Sequence, residues 1–312
     1  MGDGARFKAW REPNRSPMPL ANPGSPETVT AGCIAWSSAI WQIRTTLIRT
    51  PFGSVLFDPA YFPAEIEAIA AVAENGSDGE ERVLVVTHSD WDHVVGVPQF
   101  HQWRCVAQAG VATKSPAAQA RILDEIESFD ARYYVRRAAE PRYPRVDLAI
   151  ADEQEVQLAG EPAIVIPALG HTDDGLAVFF PRHRLLVAGD LLSALEFPFI
   201  YHSSAAYRGT LVRLGELIRE LEIRFLIPGH GPVASERIEI ERRLRDDLEY
   251  LDRLRERVEA GLTEGRRGAA LAERLRTFDF RGQPITSHLA EFHLANVAIV
   301  ERELSSPGPR LT

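Results

Sequence analysis

Lysine is nearly missing from this chain: of 35 basic residues only Lys8 and Lys114 are lysines, and the rest are arginines. Acidic residues outnumber the basic ones and leave a net charge of −9. A broad phosphate-binding surface, which needs clustered Lys and Arg, is therefore not expected, and nucleic acid is not an expected partner. Cysteine is scarce as well. Cys33 and Cys105 stand far apart with no C-x-x-C spacing, which argues against a thiolate zinc site or a disulfide framework and for a reduced, cytoplasmic setting. Long apolar runs are also missing. No stretch approaches the roughly 20 residues that cross a bilayer, and the first thirty residues, rich in Pro, Gly and charge, hold no signal-peptide core. The expectation is a soluble protein with no membrane partner, whose 312 residues and 45% apolar content suffice for a sizeable core.

Residues 1–31 read as a flexible arm, and from residue 32 short apolar runs alternate with turn residues. "AIWQIRTTLIRT" (39–50) and "GSVLFDP" (53–59), separated by Pro51 and Phe52, predict a two-strand hairpin. Helix formers over 64–74 predict a helix that stops before Asn75-Gly76. Five apolar runs, at 82–87, 163–169, 176–180, 184–189 and 224–229, read as strands buried on both faces. Helices are predicted over 115–129, with Ser115 as N-cap and Pro116 in the first helical position, and over 207–222. Past Pro232, Leu244, Leu248, Leu251, Leu254 and Val258 recur at steps of four and three, the mark of one long amphipathic helix. Gly261 is expected to end it, further helices follow at 267–277 and 287–304, and the last residues should fray. Residues 32–231 thus form an α/β unit and 232–312 a helical C-terminal extension. The apolar face of that extension must be covered, either by the rest of the chain or by a second copy in a homo-oligomer.

Chemistry-bearing residues gather at strand ends. "THSDWDH" (87–93) packs His88, Asp90, Asp92 and His93 into seven positions. In an extended segment His88, Asp90 and Asp92 alternate with Ser89 and Trp91 and face one way, and His93 starts the next turn. Each alone would be an ordinary loop or capping residue, but their joint spacing permits two metal sites a few ångströms apart. Downstream, "GHT" (170–172), "GD" (189–190) and "PGHG" (228–231) add His171, Asp190 and His230. There, loops aim side chains into a cleft over a rigid sheet, and adjacent glycines admit close backbone approach. His101, His183, His288 and His293 fit no ligand position and read as structural or exposed.

In this order the series H-S-D-W-D-H, His171, Asp190, His230 resembles the metallo-β-lactamase superfamily, whose pattern is H-x-H-x-D-H followed by G-H-T, G-D and G-H. The resemblance spans roughly residues 32–231. It implies an α/β (α+β) fold, a four-layer αββα sandwich of two mixed sheets with helices on both outer faces. It implies one metal ion on His88, position 90 and His171, a second on Asp92, His93 and His230, and Asp190 bridging them. Two divalent ions, zinc first among them, would then turn water into the nucleophile of a hydrolase, with Asp92 as the catalytic residue that orients it. Tyr201, His202 and Tyr207, which follow Asp190 closely, are candidate contacts to a small-molecule substrate.

The chain departs from the family at Asp90, where His is usual. Either this carboxylate points away and one metal is lost, or it is a ligand that tilts the site towards iron or manganese. As a ligand it also lowers the site charge by one, which raises the pKa of bound water. Ester, thioester, lactone, β-lactam and small phosphoester substrates stay open, because one metal centre serves them all. The alternative function is a di-iron oxygen-binding or redox protein similar to the flavodiiron branch, whose motif is H-x-E-x-D-H, but without a flavodoxin-like domain after residue 231. A non-catalytic binding protein is a third reading, opposed by seven ligand-type residues in order.

Overall fold

Alternation along the strands sorts side chains onto two faces, and the computed structural model, which describes residues 25–74, 81–286 and 289–305, shows what each face meets. Seven strands form one sheet in chain order: β1 (Glu27–Thr30), β2 (Cys33–Ser37), β3 (Arg44–Thr50), β4 (Gly53–Phe57), β5 (Glu81–Val86), β6 (Arg104–Gln108) and β7 (Leu148–Ile150). It is antiparallel up to β4 and parallel beyond. The second sheet runs in the order β12 (Phe225–Ile227), β11 (Leu185–Val187), β10 (Leu176–Phe180), β9 (Glu161–Pro167), β8 (Gln154–Leu158), with only β11 and β12 parallel.

Val83 and Val85 of β5 and Val178 and Phe180 of β10 meet in the layer between the sheets. Leu84 and Val86 face the opposite way, into a cluster with helices α1 (Pro63–Glu74) and α4 (Pro116–Tyr133). Ala177 and Phe179 face outward from the second sheet, into a cluster with α5 (Ser204–Glu220), α6 (Arg237–Thr263), α7 (Ala269–Leu275) and α8 (Leu289–Ser305). Two short helices, α2 (Trp91–Val94) and α3 (Ala109–Thr113), complete the first half. The result is the four-layer αββα sandwich with C-terminal helices.

Several boundaries differ from expectation, each for a packing reason. The β3–β4 hairpin forms, but its first arm begins at Arg44 because Trp41 and Gln42 turn the chain back with φ of 49° and 51°. Glu27–Thr30 pairs with β2, so the sheet starts inside the expected arm. Residues 1–24, the Asn75-Gly76 turn, His288 and the expected frayed tail 306–312 lie outside the described residues. Gly261 does not end α6. It sits within the helix, where a Cβ would come 2.4 Å from Leu271 Cδ1 of α7. The apolar stripe of α6, including Ile240, Tyr250, Leu251 and Leu254, is buried against α5, α8 and the second sheet. Among the described residues no helix is long and apolar enough to cross a membrane.

Candidate metal centre

The ends of β5, β9, β11 and β12 meet at one edge of the sandwich, and each delivers part of the motif. His88 leaves β5 in extended backbone that lasts only to Asp90 (φ −61°, ψ 145°), the residue before α2. Asp92 and His93 therefore reach the cleft from successive positions of a helical turn, not from the extended alternation expected of the sequence. His171 follows β9, Asp190 follows β11 and His230 follows β12.

All seven side chains converge. The Asp190 carboxylate lies at the centre, 3.1 Å from His93 Nε2, 3.3 Å from His230 Nε2, 3.4 Å from His171 Nε2 and 3.7 Å from His88 Nε2. Asp92 Oδ2 is 3.4 Å from His230 Nε2 and 3.9 Å from His93 Nε2. Asp90 points inward, its Oδ2 3.3 Å from His171 Nε2 and 3.6 Å from His88 Nε2. Its side chain is 29% exposed, against 11% or less for the other six, so it faces the mouth. Donor atoms about 2 Å from a common ion sit roughly 3.3 Å apart in tetrahedral geometry, and these separations match. The groups His88, His171, Asp190 and Asp92, His93, His230 each bring their donor atoms within 4.8 Å of one another. The buried Nε2 atoms of His88 and His171 and Oδ1 of Asp190 have no hydrogen-bond partner, an arrangement that suits a cation. The residues present thus fit divalent ions on imidazole and carboxylate.

Each imidazole is held through its other nitrogen, which leaves Nε2 free for an ion. Nδ1 of His88 meets Thr87 Oγ1 at 3.0 Å, that of His93 meets Asp58 Oδ2 at 2.9 Å, that of His171 donates to the Phe199 carbonyl at 2.8 Å and that of His230 to the Trp41 carbonyl at 3.0 Å. Asp58 escaped the sequence reading. It also accepts from the Thr87 N–H and hydroxyl, so one carboxylate at the end of β4 orients two candidate ligands, His93 directly and His88 through Thr87; its signal was only an acid placed before Pro59 at a strand end. Asp174, equally missed, accepts from Ser89 Oγ inside the motif and pairs with Lys114 Nζ at 2.9 Å. The glycine beside His230 is required: a Cβ on Gly229 would lie 1.9 Å from Asp190 Oδ1.

Carboxylates and imidazoles in the centre favour one another's charged forms. Burial opposes charge on His171, yet Asp190 and Asp90 outweigh it and push the imidazole up to about 10. The same balance raises His93 and His230, and burial fails to prevent Asp190 and Asp90 from falling well below the usual carboxylate range beside these histidines. Cation uptake must displace these protons.

The expected substrate contacts separate. Tyr201 is half-exposed at the mouth with its ring centroid 5.0 Å from that of His171. His202 is exposed, and its backbone N–H is what meets the loop, on the His171 carbonyl. Tyr207 is buried under the site and donates its hydroxyl to the Asp190 carbonyl at 3.1 Å, so it supports Asp190 and cannot reach a substrate at the mouth. His183 bonds Thr30 and His293 is buried in the C-terminal helices, both remote from the centre, while His101 is exposed. The C-terminal helices hold the loops of the mouth from behind: Asn296 Oδ1 accepts from Ile200 N–H at 2.9 Å, its Nδ2 donates to the Pro198 carbonyl at 2.7 Å, Arg243 reaches the Pro232 carbonyl and Arg281 the Ser193 and Ala194 carbonyls.

Residues 40–230 match the family profile described as the metallo-beta-lactamase superfamily. Hydroxyacylglutathione hydrolase of Rhodopseudomonas palustris (strain BisA53) is 28% identical over 158 residues, 48% of this chain and 51% of that protein. The chain spans about half the length of the curated relatives it matches. A metallo-beta-lactamase family protein of Thermus thermophilus superposes with a TM-score of 0.60 at 19% identity, covering 89% of this chain and 95% of that one. A sec-alkylsulfatase of Pseudomonas sp. superposes with a TM-score of 0.63 at 14% identity, covering 91% and 52%. At such identities the structural likeness speaks for the fold alone. The profile match, taken with that fold and the motif at its strand ends, establishes that the chain belongs to the metallo-β-lactamase superfamily.

Proposed function

We propose that the chain is a binuclear metal-dependent hydrolase of small molecules, with thioesters first among ester, thioester and lactone substrates. The observation that carries this reading is the convergence of four Nδ1-tethered imidazoles on the Asp190 carboxylate. His88, Asp90 and His171 would hold one ion, Asp92, His93 and His230 the other, with Asp190 shared. Two divalent ions so held, zinc first among them, would supply a nucleophile from water near neutral pH and polarise the attacked carbonyl. Asp92 would orient that nucleophile by accepting a hydrogen bond from it at the carboxylate. Tyr201, ring against His171, covers the approach to the reacting bond. The relatives named hydroxyacylglutathione hydrolase support the choice of an acyl–thiol bond. A cytoplasmic setting goes with the reading, supported by two buried free cysteines.

Elemental analysis of protein purified without added metal tests the first half: about two zinc ions per chain is the expected result. A thioester and ester panel tests the second, with turnover lost in Asp92→Asn. Metal-replete protein that hydrolyses none of the panel would overturn the hydrolase reading. The inward-facing Asp90 carboxylate supports one second reading, a di-iron oxygen or redox centre, because oxygen ligands favour harder ions. Iron in the purified protein together with oxygen consumption is its signature.

A further inference from the structure

Beside the metal centre lies a cleft that the ligand set does not use. Trp41 and Trp91, in ring contact with Phe129 of α4 at 5.9 and 5.1 Å, line it together with the face of α4 that carries Glu125, Ser128, Phe129, Arg132 and Tyr133; the space is about 290 Å³ and open to solvent. These α4 positions fall at i, i+3, i+4, i+7 and i+8, one stripe of a helix. Both ends of the tryptophan wall are tied to the centre. The Trp41 carbonyl holds His230, and Trp91 stands between Asp90 and Asp92.

Single exposed aromatics are ordinary, but a cluster of them at one cleft can form a binding surface. Trp41 is 51% exposed and Tyr133 58% exposed, yet both belong to a ring cluster: Trp41 and Trp91 meet edge to face at 5.5 Å, and Phe129 lies 5.1 Å from Trp91 and 4.5 Å from Tyr133. Open ring faces in a cleft next to reacting atoms offer stacking to another ring. The volume suits one: a cavity of about 150 Å³ holds benzene, so the space here admits a phenylalkyl group or two fused rings. The charged groups, Glu125 and Arg132, stand seven residues apart along α4 and leave the aromatic middle of the cleft neutral.

We propose that this cleft seats an uncharged aryl or arylalkyl group of the substrate, making Trp41, Trp91, Phe129 and Tyr133 the specificity-determining residues of the enzyme. The proposal rests on the hydrolase reading only for its kinetic consequence. Binding itself can be measured without catalysis, by titrating the metal-free full chain with phenylacetamide, and with acetamide as control, while following tryptophan fluorescence. Two variants at exposed positions of α4 test the cleft from opposite directions: Tyr133→Ala removes a ring, and Ser128→Trp fills the space. Saturable binding of phenylacetamide but not acetamide, weakened about tenfold in both variants, is the expected result. In turnover, kcat/KM for a phenylacetyl thioester should fall about tenfold through KM in both variants, with the acetyl thioester of the same thiol unchanged. Equal losses on both thioesters, or fluorescence that does not distinguish phenylacetamide from acetamide, would overturn the proposal. If phenylacetamide binds as described and no thioester is hydrolysed, the cleft stands and the hydrolase reading is the part that fails.

Discussion

The two sides of the metal centre are built to the same plan and braced in different ways. On the side of the first sheet, His88 and His93 are both steadied by Asp58, with Thr87 as the go-between for His88, and the outermost of these four residues, Asp58 and His93, stand only 35 positions apart. On the side of the second sheet, His171 leans on the Phe199 carbonyl, whose loop is pinned at Pro198 and Ile200 by Asn296, nearly one hundred residues further along. The first side is a local device and the second depends on the docking of α8. A ligand held by a charged neighbour is set as soon as its own hairpin and strand form. A candidate ligand held through a loop and a distant helix depends on that helix, and local opening of α8 is expected to loosen His171.

The sharpest break strikes what the two sides share. Gly229→Ala would drive a methyl group into Asp190 Oδ1 and to 3.0 Å from His93 Cε1, and the expected outcome is loss of both ions by elemental analysis with circular dichroism unchanged. Next in size, Asp58→Asn should weaken binding of the ion near His93 by about 10–100-fold, the usual cost of losing such an outer partner. Metal titration that finds both affinities intact would mean that Thr87 and the backbone suffice. Asn296→Ala leaves the Ile200 N–H and the Pro198 carbonyl buried without partners and should cost about 2–3 kcal/mol of stability in chemical denaturation. It should weaken the ion near His171 more than the ion near His93, and a loss spread evenly over the two ions would erase the distinction between local and distant bracing.

Acid should find the distant brace first. Burial among Tyr250, Phe278 and Phe197 lowers His293 from the free value near 6.5 to about 4, with its ring nitrogens on Tyr250 Oη and the Leu275 carbonyl. The unfolded chain takes up a proton at His293 below about pH 6.5 that the folded chain refuses until about pH 4. This contribution is therefore fully present above about 6.5 and is lost as pH falls through that window. Thermal melts of the metal-free chain should show a drop across that range that is smaller in His293→Gln; equal slopes would remove His293 from the account. The smallest effect expected is a shift of the pH–rate profile to lower pH in Asp90→His, because a neutral ligand leaves bound water more strongly polarised.

Much of the first side was legible in the sequence and little of what supports the second. Ser115 caps α4 by accepting from the Ala118 N–H, as its place before Pro116 foretold. The strands over 82–87 and 176–180 announced themselves because a strand buried on both faces has to be apolar throughout. The motif residues stood out because four His and Asp residues fall within 87–93 and three more sit beside glycines at strand ends. Tyr207 misled because a tyrosine close in sequence to Asp190 can as well lie beneath the site as above it, and only the direction of α5 distinguishes the two. Asp58, Asn296 and the cleft at Trp41 left no comparable trace, since an acid before a proline, an amide in a helix and an aromatic in a turn are ordinary residues until a partner arrives.

By itself, then, the sequence determined the alternation of apolar strands and helices, through the period of its apolar residues, and the order of a His/Asp motif whose resemblance to a known family implied the αββα sandwich. Tertiary structure decided which nitrogen of each histidine is free, that Asp90 faces inward, that Tyr207 lies below Asp190, and that α8 stands behind the loop carrying Tyr201. These are relations between residues far apart in the chain, fixed by the packing of helices on sheets, and no local pattern of residue types encodes them.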